Sequence, residues 1–181
     1  MYNYCFEIAS LIFEITSPAP VYFQPCMNSF HVFSTEKIDL FYKIEWMTEV
    51  PLVESEIYRK EYSIYCDKSG HIRKRDLWAN GKIQSVYLYS KNMADYYKLQ
   101  VPKELLENNK LFESTNIIHF LALEEGLLEN NAFMLHSSFV SYFDNGILFT
   151  APSGTGKSTQ ADLWHQYEGA EIYNGDRTIV R

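Results

Sequence analysis

A short glycine-rich stretch constrains this chain more than any other feature, because glycine is scarce elsewhere. The chain has 181 residues and 8 glycines, and two of these glycines lie in residues 151–158, which read Ala-Pro-Ser-Gly-Thr-Gly-Lys-Ser. An apolar run at 147–150 precedes the stretch, and residues 157–168 have the pattern of a helix. A strand, a glycine-rich loop and a helix in this order direct backbone N–H groups and the positive end of the helix dipole toward one point. The stretch therefore predicts a site for a polyphosphate.

The residue types in this loop suit phosphate and Mg²⁺ chemistry. The pattern is G-x-x-x-x-G-K-[ST] with Ala151 in the first position. Glycine lets the backbone curl inward without a Cβ clash, and Lys157 can reach the outer phosphates as a mobile cation. The Ser158 hydroxyl can be a ligand of Mg²⁺. The predicted nucleotide-binding residues are Ser153, Gly154, Thr155, Gly156, Lys157, Ser158 and Thr159.

An acidic residue follows the next predicted strand. A strand is predicted at 170–173, and the chain then continues as Asn174-Gly175-Asp176. A carboxylate at such a strand end can hold Mg²⁺ through a water or orient the attacking group. We therefore predict Lys157 and Asp176 as catalytic residues, and Ser158 and Asp176 as Mg²⁺ ligands, with ATP and Mg²⁺ as the cofactors.

Residues 132–181 resemble the catalytic core of HPr kinase/phosphorylase and its relatives, and phosphoenolpyruvate carboxykinase is similar in this core. The shared pattern is a strand that begins with His, a tight hairpin, an apolar strand, the loop, a short helix, a glycine and a strand with an acidic end. The residues that match it are His136, Gly146, Ser153, Gly154, Gly156, Lys157, Ser158, Gly169 and Asp176. The resemblance implies a P-loop nucleotide-binding domain and ATP-dependent transfer of a phosphoryl group to a hydroxyl of a protein, peptide or small molecule.

The resemblance leaves alternatives open. It does not extend over residues 1–131, which argues against HPr itself as the substrate. The family typically ends the acidic strand with two adjacent Asp residues, whereas this chain has Gly175 before Asp176. A nucleotide-binding or interaction module without efficient catalysis is therefore the alternative to a kinase. Small nucleotide kinases share a loop similar to residues 156–160, but those enzymes begin with the strand that precedes the loop.

The first 131 residues read as a β-rich, antiparallel region. Period-two alternation predicts strands, and Asn80-Gly81 is a two-residue hairpin signal. The predicted strands cover 30–33, Leu40–Trp46, 58–66, 71–79 and 83–89, and helices are predicted from Pro102 and over 114–129. The expected fold class is α/β, and α+β overall. A β-rich antiparallel region at 1–131 precedes the start of a P-loop domain at 132–181.

Composition excludes several classes of function. The net charge of −7 argues against a general nucleic-acid binder, and the basic run at 73–75 reads as a solvated strand face. Cys5, Cys26 and Cys66 are odd in number and form no C-x-x-C pair. They predict reduced thiols rather than a disulfide scaffold or a zinc site.

The ends of the chain suggest where it acts and how it is organised. The N-terminus lacks the basic segment of a signal peptide and is interrupted by Pro18 and Pro20, so we expect a cytoplasmic protein with no membrane partner. Residues 132–181 are fewer than the ~100–150 of a common domain, so we expect the first part of a longer protein. The resemblance is compatible with a homo-oligomer.

Overall fold

The computed structural model of the protein describes residues 1–22, 30–33, 37–59, 62–67, 70–79, 81–91, 96–105, 120–121 and 123–181. These residues form two compact units, Met1–Leu123 and Glu124–Arg181. The protein is mostly β, with an eight-stranded mixed sheet, a four-stranded antiparallel sheet and few short helices. In the described part of the chain, no helix is both long enough and apolar enough to cross a membrane.

The first unit contains the eight-stranded sheet. Its spatial order is β1-β2-β3-β8-β7-β6-β5-β4. The strands are β1 (Tyr2–Ile8), β2 (Leu11–Ser17), β3 (Leu40–Trp46), β4 (Ser55–Arg59), β5 (Ser63–Asp67), β6 (Gly70–Ala79), β7 (Lys82–Tyr89) and β8 (Tyr97–Val101). The predicted antiparallel meander is confirmed for β5, β6 and β7. The antiparallel prediction is wrong for the middle of the sheet, because β3 pairs in parallel with both β2 and β8.

Alternating apolar residues produce the core of this sheet. In β3 the buried side chains are Leu40, Tyr42 and Ile44, at the two-residue spacing that places them on one face. The ring of Tyr42 stacks on the ring of Tyr97 in β8, with centroids 4.9 Å apart. Fully burying side chains of this size contributes roughly 1.5–3 kcal/mol each. The two central strands are therefore fixed by the hydrophobic contacts between them as well as by their hydrogen bonds.

Three local predictions for this region need correction, and others fall outside the described residues. The alternation over 58–66 is not one strand, because β4 ends at Arg59 and β5 begins at Ser63, in an antiparallel pair. Residues 30–33 contribute an isolated bridge between His31 and Phe6 rather than a strand. The helix predicted from Pro102 begins as a 3₁₀ turn at Lys103–Leu105. Cys26, Asn80 and residues 106–119 lie outside the described residues.

The second unit is built around one central strand. Its elements are α1 (Glu124–Glu129), β9 (Phe133–Tyr142), β10 (Asn145–Thr150), α2 (Lys157–Leu163), β11 (Glu171–Asn174) and β12 (Arg177–Val180). α2 continues directly into a π-helical turn at Trp164–Glu168. β9 pairs with β10 on one side and with β11 on the other, and β12 also pairs with β9. The predicted hairpin and the predicted helix after the glycine-rich loop are thus present. The carboxyl-terminal part of the helix predicted over 114–129 is present as α1.

The pairing around β9 sets the direction of the strands beside the glycine-rich loop. β10 and β11 are both antiparallel to β9 and lie on opposite sides of it, so they run parallel to each other. Val140 of β9 is completely buried and forms a small core with Ala161 of α2 and with Ala170. Thr150, which ends β10, and Asp176, which follows β11, therefore lie level with each other beside Ser137 of β9. The loop follows Thr150, and the chain continues past Asp176 as β12, which also pairs with β9.

Candidate phosphate-binding site

The glycine-rich loop connects β10 to α2 and depends on two left-handed backbone positions. Gly154 has φ 78° and Gly156 has φ 94°, where residues with a Cβ are strained. Gly156 caps α2, and its carbonyl accepts a hydrogen bond from the N–H of Gln160 at 2.9 Å. The two glycines are therefore required by the backbone path, as the sequence predicted.

Lys157 is the first residue of α2, and its side chain lies inside the loop. The residue is 9% exposed. Its Nζ donates to the carbonyl oxygens of Ala151 at 3.1 Å and Pro152 at 3.3 Å. Both acceptors are neutral, so within the described part of the chain the ammonium charge is solvated by backbone dipoles rather than balanced by a carboxylate. Such a group gains strongly from contact with an anion.

The remaining loop side chains are polar and open to solvent. Ser153, Thr155, Ser158 and Thr159 are all exposed. The hydroxyl of Thr155 donates to the carbonyl oxygen of Pro152 at 2.7 Å. The Ser158 hydroxyl stands in the first turn of α2, the position that a Mg²⁺ ligand needs in this motif.

Asp176 lies in an Asx turn at Asn174, between β11 and β12, which both run antiparallel to β9. The side-chain oxygen of Asn174 accepts hydrogen bonds from the N–H groups of Asp176 at 2.8 Å and Arg177 at 2.9 Å. The hydroxyl of Ser138 in β9 donates to the carbonyl of Gly175 at 3.2 Å. This turn fixes the backbone of residue 176, while the carboxylate projects from an exposed side chain, 73% accessible.

Consecutive residues of β9 connect the turn to the start of the loop. The N–H of Ser137 donates to the carbonyl of Asp176 at 3.0 Å, and the Thr150 hydroxyl donates to the carbonyl of His136 at 3.4 Å. Strands in a sheet are about 4.8 Å apart, so the two outer strands are about 10 Å apart across β9. The strand order thus brings the start of the loop and Asp176 to the same level of the sheet. A shared catalytic role of Lys157 and Asp176 stays a prediction.

One residue in contact with Asp176 was not predicted as a site residue. His136 of β9 has its Nε2 atom 3.2 Å from Oδ1 of Asp176, and Nε of Arg177 lies 3.8 Å from the other carboxylate oxygen. A cavity of about 310 Å³ opens beside them, lined by Glu124, Met134, His136, Asp176 and Arg177. The signal that could have found His136 is its place in the matched strand pattern. Its contact with Asp176 depends on the pairing of β9 with β12.

Ser158 and Asp176 offer oxygen donors of the type that Mg²⁺ takes. Among the described residues, no group of three or more His, Cys, Asp or Glu side chains could enclose a metal ion. Mg²⁺ bound with nucleotides needs few protein ligands, because phosphates and waters fill the other positions. A hydroxyl at Ser158 and a carboxylate at Asp176 are hard oxygen donors of the kind this ion takes.

Comparison with known proteins adds no family to this geometry. No family model matches the chain, and neither a curated protein nor a solved structure matches it. The chemistry of the site therefore depends on the residues of this chain described above.

Proposed function

We propose that residues 151–158 bind the phosphates of ATP with Mg²⁺, and that the chain acts as a phosphotransferase of the kind its sequence resembles, the HPr kinase type. The observation that carries this proposal is Lys157. The residue is 9% exposed within a loop shaped by two left-handed glycines, and backbone carbonyls accept hydrogen bonds from its ammonium group. A multivalent anion is the ligand that best satisfies such a cation.

The surrounding elements support an α/β nucleotide-binding core as the finer description of the second unit. β10, the loop, α2 and β11 form a β-α-β sequence with two parallel strands. The start of the loop and Asp176 lie level with each other beside Ser137 of β9, which supports a shared site. Phosphates in the loop would draw Lys157 away from the carbonyls of Ala151 and Pro152. Ser158 and Asp176 are the residues that would hold Mg²⁺, whose charge supports phosphoryl transfer.

The transfer step assigns a role to Asp176. The acceptor hydroxyl oxygen attacks the γ-phosphorus, forming the new O–P bond, while the bond from the γ-phosphorus to the β–γ bridging oxygen breaks. The hydroxyl proton passes to the carboxylate of Asp176, and ADP is the leaving group. The cavity beside Asp176 and His136 gives an acceptor a route to this carboxylate. A protein, a peptide or a small molecule with a free hydroxyl fits this scheme.

Calorimetry with Mg-ATP and Mg-ADP tests the binding part of the proposal. Lys157→Met keeps the aliphatic part of the side chain and removes the charge, so we expect Kd to rise by about tenfold or more. Lys82→Met is the matched control, because Lys82 is an exposed lysine at the tip of β7 in the first unit. Equal affinity in the wild type and Lys157→Met would overturn the proposed site.

A nucleotide-binding module without efficient transfer is the second candidate. The observation that favours it is the acidic strand end, where glycine occupies position 175 and the single carboxylate of Asp176 lies between His136 and Arg177. With one carboxylate there, metal binding and proton acceptance would both fall to Asp176. Release of ADP with and without a panel of hydroxyl acceptors separates the two candidates, because a binding module shows affinity without turnover.

A further inference from the structure

The carbonyl oxygen of Pro152 is where two donors from the loop converge. Thr155 Oγ1 lies 2.7 Å from it, and Lys157 Nζ lies 3.3 Å from it. Thr155 stands between Gly154 and Gly156, so it is the one residue with a side chain in the turn that joins the two left-handed positions. Its hydrogen bond spans three residues and closes that turn.

Packing does little to hold this turn in place. A Cβ built on Gly154 would meet no atom within 4 Å, and one on Gly156 would come no closer than 3.9 Å, to Thr159. Glycine has more conformational freedom than any other residue, so an ordered loop needs a specific bond to offset that entropy. In the described structure, the hydrogen bond from Thr155 Oγ1 to the Pro152 carbonyl can offset this entropy.

We propose that Thr155 is a positioning residue, whose hydroxyl fixes the shape of the loop before the nucleotide binds and keeps the Pro152 carbonyl satisfied afterwards. This inference rests on the proposed function. When Lys157 turns toward phosphate, the Pro152 carbonyl loses one donor. A carbonyl oxygen without a donor carries partial negative charge that would repel the incoming anion. The Thr155 hydroxyl stays hydrogen-bonded to the Pro152 carbonyl and prevents this repulsion.

The experiment compares Thr155→Val, which has the same shape without the donor, with Thr155→Ser, which keeps the hydroxyl. The first measurement is ¹⁵N relaxation of Gly154 and Gly156 in the nucleotide-free protein. We expect order parameters near ~0.85 for the wild type and Thr155→Ser, and below ~0.6 for Thr155→Val. The second measurement is Mg-ATP calorimetry, in which Thr155→Val weakens binding by roughly five- to tenfold, as loss of one hydrogen bond predicts. Thr155→Ser stays within about twofold of the wild type.

The outcomes separate this inference from the function on which it rests. A wild-type protein that binds no Mg-ATP overturns the proposed function, while relaxation still reports on Thr155. Equal order parameters in the wild type and Thr155→Val overturn the positioning role. Equal Mg-ATP affinity in those two proteins overturns it as well, and so does a Thr155→Ser protein that behaves like Thr155→Val. The melting temperature should be the same in all three proteins, because Thr155 is exposed.

Discussion

At the scale of single residues, position 175 bears on the acid–base chemistry that we propose for Asp176. Apart from its chain neighbours, no described residue lies within 4 Å of a Cβ built on Gly175, and its φ is outside the left-handed region. An aspartate therefore fits there without strain. We expect Gly175→Asp to raise phosphoryl transfer about tenfold or more, because a second carboxylate lets metal binding and proton acceptance be divided between two groups.

Release of ADP in the presence of Mg-ATP and acceptor measures the effect of Gly175→Asp. Gly175→Asn is the matched control, since it has nearly the same shape without the charge. Equal rates for the two variants would show that the charge at 175 does not contribute. An increase confined to Gly175→Asp would support the kinase over the binding module.

Single residues also show why the candidate site could be predicted in part. The loop from Ser153 to Thr159 was readable because glycine, lysine and hydroxyl residues at fixed spacing suit a local backbone shape. The contact between His136 and Asp176 could not be predicted from the sequence, because it depends on the pairing of β9 with β12. Gly146 matched a pattern in the sequence, but its reason appears in the structure. A Cβ there would lie 2.8 Å from the ring of Phe139.

At the scale of elements, the β6–β7 hairpin contains a polar cluster that responds to pH. The hydroxyl of Ser85 donates to Oδ1 of Asp76 at 2.6 Å, and Nζ of Lys74 lies 3.1 Å from the same oxygen. Partial burial raises the pKa of Asp76, but the hydrogen bonds from Ser85 and Lys74 outweigh it and leave that pKa below its ordinary value. The ionised Asp76 therefore stabilises the folded state at neutral pH.

The lowered pKa fixes the sign of the pH effect. The stabilisation is complete above the unfolded pKa of about 3.9 and is lost as pH falls through the folded value. We expect Asp76→Asn to melt below the wild type at pH 7, and the difference to shrink as pH falls below about 4. Thermal melts across this range measure it, with Glu129→Gln as a control on an exposed residue of α1. A difference that is constant with pH would contradict the role of the Asp76 charge.

Local sequence patterns specify some strand pairings of this fold and leave others open. The β6–β7 and β9–β10 hairpins were predicted because alternation and turn residues lie next to each other in the chain. The parallel pairs that β3 makes with β2 and β8 were not predicted, since alternation shows which face a residue occupies and not which strand lies beside it. The same alternation continues across the break between β4 and β5, so the sequence predicts one strand over 58–66.

At the scale of the whole molecule, each of the two compact units contains its own buried apolar residues. In Met1–Leu123, Leu99 of β8 is 1% exposed, within the core of the eight-stranded sheet. In Glu124–Arg181, the core is the small group around Val140, which lies opposite Ile147 of β10 and Ile172 of β11. The strands that carry the loop and Asp176 are thus positioned by side chains of the second unit.

This division predicts different consequences for two core substitutions. Val140→Ala removes two buried methyl groups between β10, β11 and α2, which should cost roughly 2 kcal/mol and weaken Mg-ATP binding, because the loop and Asp176 lose their common support. Leu99→Ala should cost about 2–5 kcal/mol in the first unit and leave the Mg-ATP affinity within about twofold of the wild type. Hydrogen exchange would locate each loss of stability, and calorimetry would measure the affinity. If Leu99→Ala weakened Mg-ATP binding as much as Val140→Ala, the nucleotide site would depend on the core of the first unit, contrary to this prediction.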